Sequence, residues 1–221
     1  MEKFNKLELR QLSIKNSDYD LTKSKKMYNF IIDKKLKEPV VEPKPDGIYF
    51  ILSPDKVIHG LMATDVDKRN SIAVGVKMGN RFANVVLHDE AGGEEIALCR
   101  CDKLPCGHEQ FSHDTFWKAM SDWNGEANTN DMRSVLNPDI NLGENEYIPS
   151  LAQLHLILLN INEINKALVE AEGDPMKEDW YWSSTEYSRD IAWYVSFGYG
   201  YTTNYYKYIP NVVRTAIACE I

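Results

Sequence analysis

Residues Asp179 to Arg214 read DWYWSSTEYSRDIAWYVSFGYGYTTNYYKYIPNVVR. This stretch carries eight of the twelve tyrosines of a 221-residue chain: Tyr181, Tyr187, Tyr194, Tyr199, Tyr201, Tyr205, Tyr206 and Tyr208. Two populations interleave in it. Trp180, Trp182, Trp193, Val195, Phe197, Gly200, Lys207, Val213 and Arg214 are large or structurally demanding. The other set is Arg189, Asp190, Ile191, Tyr194, Ser196, Gly198, Tyr199, Tyr201, Thr203, Asn204, Tyr205, Tyr206, Tyr208 and Ile209. From Ala192 to Phe197 the two alternate, which is the period of a strand with one buried face and puts Ala192, Tyr194 and Ser196 on the open side. The second set has the composition of a binding surface, because tyrosine offers a large amphipathic contact at low entropic cost and Ser, Gly and Asn adapt their hydrogen bonds. Aromatics also favour plain strands. Cross-strand pairing, however, does not account for Tyr205, Tyr206 and Tyr208 crowding a loop rich in Gly, Thr and Asn. All of the second set except Gly198 and Ile209 are therefore expected to touch ligand.

The frame YWSSTEYS, AWYVSF, Lys207 and Val213-Arg214, with NGEANT at Asn124 to Thr129 and YIPSLAQL at Tyr147 to Leu154, resembles the variable proteins of bacterial and phage diversity-generating retroelements. These belong to the formylglycine-generating-enzyme-like branch of the C-type lectin fold. The resemblance covers about residues 43–221 and is strongest from Asn124 onward. It implies an α+β domain with paired terminal strands, a small antiparallel sheet, two or three helices and long loops, with a variable ligand-binding region at about residues 187–213. It also implies a coding segment scattered by copying errors at adenines of AAC-type codons. Tyr, Ser, Thr, Asp, Ile, Gly, Arg and Asn are all reachable from AAC in that way, whereas Lys, Glu, Gln, Met and Trp are not, and none of these five occurs in the outward set.

At 221 residues, with 43% hydrophobic and 26% charged residues, the chain suits one domain with a sizeable core plus an extension. Residues 1–37 hold ten Lys or Arg against five Asp or Glu, so a net charge of -8 divides into a basic start and an acidic body. The acidic body argues against nonspecific nucleic-acid binding. The N-terminus MEKFNKLELRQ has no apolar signal core, so cytoplasmic synthesis without a cleaved peptide is expected, with virion association or another route of release open. No run has the length of a membrane span.

Apolar residues among the lysines of Leu21 to Leu36 predict a short amphipathic helix, within a basic extension at residues 1–42 that ends in the breaker-rich EPKPDG. Strands are expected at Ile48 to Leu52, Ser71 to Val76, Phe82 to Leu87 and Glu95 to Cys99, with a hairpin connection at Lys77 to Arg81. Asp114 is expected to cap a helix running from Thr115 to about Trp123 and ended by Gly125, with a second over Asn130 to Leu136. Ser150 and Gln153 form a capping box for a longer helix, whose Leu151, Leu154, Leu158, Ile161, Ile164 and Leu168 share a stripe. The resemblance adds two expectations: this helix underlies the variable segment, and Val212 to Cys219 pairs with Ile48 to Leu52.

Cys99, Cys101, Cys106 and His108 bring four soft ligands within ten residues. Their C-x-C-x4-C-x-H spacing matches no common zinc finger, so structural or free thiols are expected and no metal. The calcium lectins' Glu-Pro-Asn tripeptide has become Ile209-Pro210-Asn211, which removes an oxygen ligand, so no calcium is expected either. Enzymatic thiol chemistry by analogy with the formylglycine-generating enzymes would fall to Cys219, which sits in the strand-like TAIACEI without a nearby second cysteine. The histidines show no nucleophile-base arrangement. The expectation is a non-enzymatic, cofactor-free protein that binds a protein or cell-surface ligand, with a phage or prophage host-attachment protein and a small enzyme of the same fold as alternatives. Lys207 and Arg214 are expected to tie the loops to carboxylates such as Glu186 or Asp179.

Overall fold

The run GIYFILS buries Tyr49, Phe50 and Ile51 in succession and meets a tight turn at Pro54-Asp55, so it folds back on the next strand at once. The computed structural model of the protein describes residues 44–100 and 113–221, and Lys44–Ile221 forms one compact unit. The helix expected at 21–36 and the residues Cys101, Cys106 and His108 lie outside the described residues. Strand β1 (Gly47–Ser53) pairs antiparallel with β2 (Lys56–His59) on one side and β3 (Ala73–Met78) on the other. β3 continues into β4 (Arg81–Val86), giving a four-stranded sheet of order β2-β1-β3-β4. A short helix α1 (Asp65–Arg69) links β2 to β3, started by a capping box between Thr64 and Asp67. A 3-10 turn (Glu90–Gly93) and β5 (Ile96–Ala97) follow, and then α2 (Phe116–Ala119), α3 (Gly125–Met132), β6 (Glu146–Tyr147), α4 (Leu151–Leu159) and α5 (Ile161–Glu170). The last third supplies β7 (Trp180–Ser188), β8 (Ile191–Ser196), β9 (Thr202–Tyr206), β10 (Pro210–Asn211) and β11 (Ala216–Ile217). The fold is mixed α+β, with five α-helices and several small antiparallel sheets among the described residues.

The capping box at Ser150 and Gln153 starts α4 as expected. The helix then ends at Asn160, whose side chain donates to Leu156 O (2.8 Å), and α5 begins anew. The single stripe divides because the two helices have different surroundings. α4 lies between two sheets and buries Leu151, Ala152, Leu154, Leu156 and Ile157 nearly all round, whereas α5 buries one face through Ile164, Ala167 and Leu168. Phe50, Val74, Val76, Ala83 and Val85 of the first sheet, Tyr181, Trp193 and Val195 of β7 and β8, and Phe197 just after β8 complete that core. A second core covers the other face of β7 and β8 with Trp182, Ala192, Val213, Ile96, Leu98, Met132, Leu136 and Ile148. Each such fully buried aliphatic side chain contributes about 2 kcal/mol.

The segments NGEANT, YIPSLAQL and YWSSTE converge on one buried carboxylate. Asp122 accepts from Asn128 Nδ2 (2.7 Å), Thr185 Oγ1 (2.6 Å) and Asn124 N (2.9 Å). Its backbone carbonyl takes Ser150 Oγ (2.6 Å), and Thr185 Oγ1 in turn accepts from Leu151 N at the start of α4 (2.9 Å). Thr129 Oγ1 bridges Gly125 O and Ile148 N. Gly125 opens α3 and does not close α2, contrary to expectation, because the chains approach closely there: a Cβ would lie 2.7 Å from Ser150 N and run into Gln153 Oε1. The expected helices shift accordingly. α2 is capped by the Thr115 hydroxyl, with Asp114 instead in an ion pair with Lys118, and α3 ends near Met132, four residues short of Leu136.

The expected pairing of first and last strands does not occur. Both edges of β1 are already occupied by β2 and β3. The C-terminal segment is broken into short pieces: Val212 lies parallel to Tyr181, and β11 pairs with β6. It meets the first sheet at β4, where Val86 N donates to Thr215 O (2.9 Å) and the Asn84 side-chain amide brackets Ile217, donating to its O (2.9 Å) and accepting from its N (2.8 Å). Substituting Asp122→Ala, which leaves three donors without their acceptor, is expected to lower stability by about 3 kcal/mol or more. The urea midpoint measures this, and exposed Asp139→Asn should remain within about 0.5 kcal/mol of the parent.

Candidate binding surface

β7 and β8 pair from Trp180↔Ser196 to Trp182↔Tyr194, and the ladder then jumps to Glu186↔Ala192. Ser183, Ser184 and Thr185 fill the interruption, and Ser183 Oγ donates to Trp193 O (2.7 Å), standing in for the missing backbone partner. Ser184 N reaches Pro149 O (2.9 Å), and Thr185 enters the Asp122 network. These three residues therefore lock the sheet to the start of α4. β9 returns along β8 in register from Val195↔Thr202 to Ile191↔Tyr206, after a turn at Gly200, whose φ of +70° suits glycine.

The exposed tyrosines line this return. Tyr199 (77%), Tyr201 (68%), Tyr205 (48%), Tyr206 (44%) and Tyr208 (38%) all stand out to solvent. Tyr199 stacks on Tyr201 (6.2 Å between ring centroids, 21° between planes), and Tyr206 on Tyr208 (5.3 Å, 20°). Arg189 and Thr203 are exposed, and Asn204, Ile191 and Asp190 are half-buried, with Asp190 Oδ1 turned inward. Tyr194 is half-buried between Trp180 (4.6 Å) and Trp182 (5.1 Å). Burial, followed by the neighbouring Tyr205, pushes the Tyr194 phenol above its usual range.

The alternation expected along β8 is corrected here. Ser196 is buried and its Oγ accepts from Tyr199 N (3.2 Å), so it shapes the turn and does not face ligand. Ala192 is fully buried as well. The reason is that β8 is a central strand with a core on each face, so only its largest side chain on the second face, Tyr194, reaches the surface.

The anchors lie beneath. Lys207 and Glu186 are both buried and form an ion pair, and Lys207 Nζ also donates to Arg189 O (2.9 Å). Lys207 N donates to Asp190 O (3.0 Å) and its carbonyl accepts from Cys99 N (3.1 Å), so one residue joins the β7–β8 turn, the end of β9 and the segment after β5. Arg214 is also buried, but its carboxylate is neither Glu186 nor Asp179. Its Nε donates to Asp89 Oδ1 (2.6 Å) and its Nη1 to Asp174 O (2.8 Å). Asp89, just beyond β4, is buried beside Arg214, with the Tyr181 hydroxyl 3.5 Å from its other oxygen, a neighbourhood created by the fold.

Two exposed aromatics adjoin this surface that the sequence reading did not single out. Phe116 lies 6.3 Å from His155 and 6.4 Å from Trp193, and carries Trp117 (78% exposed) at 5.3 Å. His155 Nε2 contacts Thr202 Oγ1 (2.7 Å) at the start of β9. Burial holds the His155 imidazole below its usual range, so it is neutral near pH 7. The available signal was the pair Phe116-Trp117 itself, since adjacent residues of a short helix cannot both face the core.

Burial pushes the Cys219 thiol up to about 11, the reverse of an activated thiolate. Cys99 is buried. Among the described residues no three His, Cys, Asp or Glu side chains group as metal ligands. Asn211 is buried in its pairing with Ile96. No helix among them is long and apolar enough to cross a membrane.

Compared with known proteins, the chain matches no family model, no curated protein and no solved structure.

Lys207→Ala should destabilise the protein by about 3–5 kcal/mol, because it removes the buried ammonium that faces the Glu186 carboxylate, and the double change Lys207→Met with Glu186→Leu should recover most of that loss in chemical denaturation. At pH 8 the Cys219 thiol should alkylate roughly a hundredfold more slowly than a free cysteine, as read by peptide mass mapping.

Proposed function

We propose that the chain binds a macromolecular ligand noncovalently through the tyrosine-rich surface of the β8–β9 turn, β9 and the loop to β10, on a scaffold of the C-type lectin type. The observation that carries this reading is the contrast between the two residue sets. Five tyrosines stand in solvent, while the frame beneath them, from Trp182 and Trp193 to Lys207 and Arg214, is buried. Exposed rings on an unsupported loop would lose entropy on binding. Rings already stacked in pairs above an ion-paired lysine and a double-sided core lose less, and this favours affinity. The phenols bring buried area, and Thr203, Asn204 and Arg189 bring hydrogen-bonding groups around them.

The same contrast supports reading this region as the diversified segment of a retroelement variable protein, since changes among exposed side chains leave the buried frame untouched. In the coding DNA, the codons for Arg189, Tyr199, Tyr201, Asn204, Tyr205 and Tyr206 should end in C or T. A near-identical repeat nearby should carry AAC or AAT at the same places, beside a reverse transcriptase gene. A neighbourhood with neither repeat nor reverse transcriptase would leave a fixed binder.

For binders selected against the full chain from a displayed library of small folded proteins, Tyr205→Ala, Tyr206→Ala or Tyr208→Ala should weaken binding, the strongest of the three by about thirtyfold. The thermal midpoint should hardly move, because these rings are exposed. Binders that tolerate all three changes would remove this surface as the recognition site.

A further inference from the structure

The outer edge of β9 has a chemistry distinct from the rings around it. Ser196 N donates to Tyr201 O (2.8 Å) and Lys207 N to Asp190 O (3.0 Å). With Tyr194 opposite Thr203 and Ala192 opposite Tyr205, the odd-numbered residues of β9 direct their backbone groups at β8. Residues of an antiparallel strand alternate in this respect, so Thr202, Asn204 and Tyr206 direct theirs away from the sheet. β9 is the last strand of its sheet. The carbonyl of Tyr206 is taken by Ile209 N (3.0 Å). Among the described residues, the N–H and C=O of Thr202 and Asn204 and the N–H of Tyr206 have no partner.

Such an edge is a template for another chain, and proteins ordinarily blunt it with lysine, proline, a bulge or a cover. β9 reads TTNYY, without charge or proline, and its register is regular throughout. The unpaired groups recur every second residue, about 7 Å apart, with donor and acceptor together on Thr202 and Asn204 and the donor alone on Tyr206. An extended polypeptide matches that repeat with its own backbone, whereas a sugar ring or a helix presents no such row. Side chains flank the edge on both faces. Tyr201, Thr203 and Tyr205 lie on one. Thr202, Asn204 and Tyr206 lie on the other, where Thr202 meets His155, His155 meets Phe116, and Phe116 meets the exposed Trp117.

We infer that β9 takes up an extended peptide segment of its partner by strand addition. The backbone of Thr202, Asn204 and Tyr206 forms the ladder, and alternate peptide side chains fall on the tyrosine face and on the Phe116–Trp117 face. The inference rests on the recognition reading above and gives its partner a chemical class. It also separates two jobs on one surface: the backbone ladder is indifferent to side-chain identity, so β9 can vary its side chains and still bind a strand, while the rings select which one.

The test pans a random linear peptide library against the full chain, in parallel with the library of small folded proteins. In a complex with a selected linear peptide, the Thr202, Asn204 and Tyr206 amides, fast to exchange with deuterium in the free protein, should slow by about tenfold or more, and Thr203 and Tyr205, already paired, should change little. Methylating the peptide backbone nitrogens should weaken binding about tenfold at every second residue and hardly at all between them. Asn204→Pro, which removes an outward N–H and leaves the β8 ladder in place, should weaken the peptide similarly. Peptides that depend on Tyr205 or Tyr206 but leave the three amides unprotected and ignore backbone methylation would overturn strand addition while the recognition reading stands. Selection of folded proteins alone, with those amides still fast, would do the same. Binders indifferent to the tyrosine substitutions, or no binders from either library, would overturn both.

Discussion

A lysine ammonium leaves water only if a carboxylate goes with it, and in this protein Lys207 leaves water entirely, in company with Glu186. Much of the last third follows from that constraint. Lys207 stands between two exposed tyrosines, so its burial forces the chain to dip inward at one residue and rise again at the next. Its ammonium also holds the Arg189 carbonyl, and its backbone reaches Asp190 and Cys99. The turn between β7 and β8, the end of β9 and the segment beyond β5 are thereby held to a common point. An ion pair of this kind adds little net stability compared with well-packed apolar residues, but it admits few alternative arrangements. The end of β9 and the turn after it, which carry Tyr205, Tyr206 and Tyr208, have correspondingly little freedom in where they present them.

The sheet above the ion pair is rigid for a different reason. A strand with one core beneath it can flex toward solvent, but β8 has Trp193 and Val195 in one core and Ala192 in another. The bulge in β7 would weaken such a sheet if its polar groups went unpaired. They are instead absorbed: Ser183 satisfies the Trp193 carbonyl, and Thr185 joins the Asp122 carboxylate to the first turn of α4. α4, apolar on nearly all sides, transmits that order to the first sheet. The Asp122 network and the two cores give a fixed floor, and the exposed tyrosines are a thin layer upon it.

Much of this was readable from residue types. The capping box at Ser150 and Gln153 forms because its hydrogen bonds are local, as does the β3–β4 hairpin around Gly79. Of the large or demanding set, Trp182, Trp193, Val195, Phe197, Lys207, Val213 and Arg214 are buried, with Lys207 paired to Glu186, whereas Trp180 is half-buried and Gly200 lies exposed in the turn before β9. The exposed tyrosines were legible for a related reason: Tyr199, Tyr201 and Tyr205 to Tyr208 accompany Gly, Thr and Asn in numbers that no core could absorb. Ser196 was misplaced because alternation assumes a strand open on one side. Gly125 was misread because a glycine that stops one helix looks the same in sequence as one that lets two segments touch.

The order of the residues alone settled where chains turn, where helices start and which side chains seek shelter, since each depends on neighbours a few positions away. It could not settle which carboxylate Arg214 would find or which strand the C-terminus would join, because both are choices among distant segments of similar chemistry. The tertiary structure made them by geometry: β2 and β3 occupy both edges of β1, so the C-terminal segment lies against β4 and β6, and Arg214 is buried beside Asp89. The edge position of β9 among the described residues is likewise a property of the assembled sheet, since a strand is an edge only through what does or does not pair beside it.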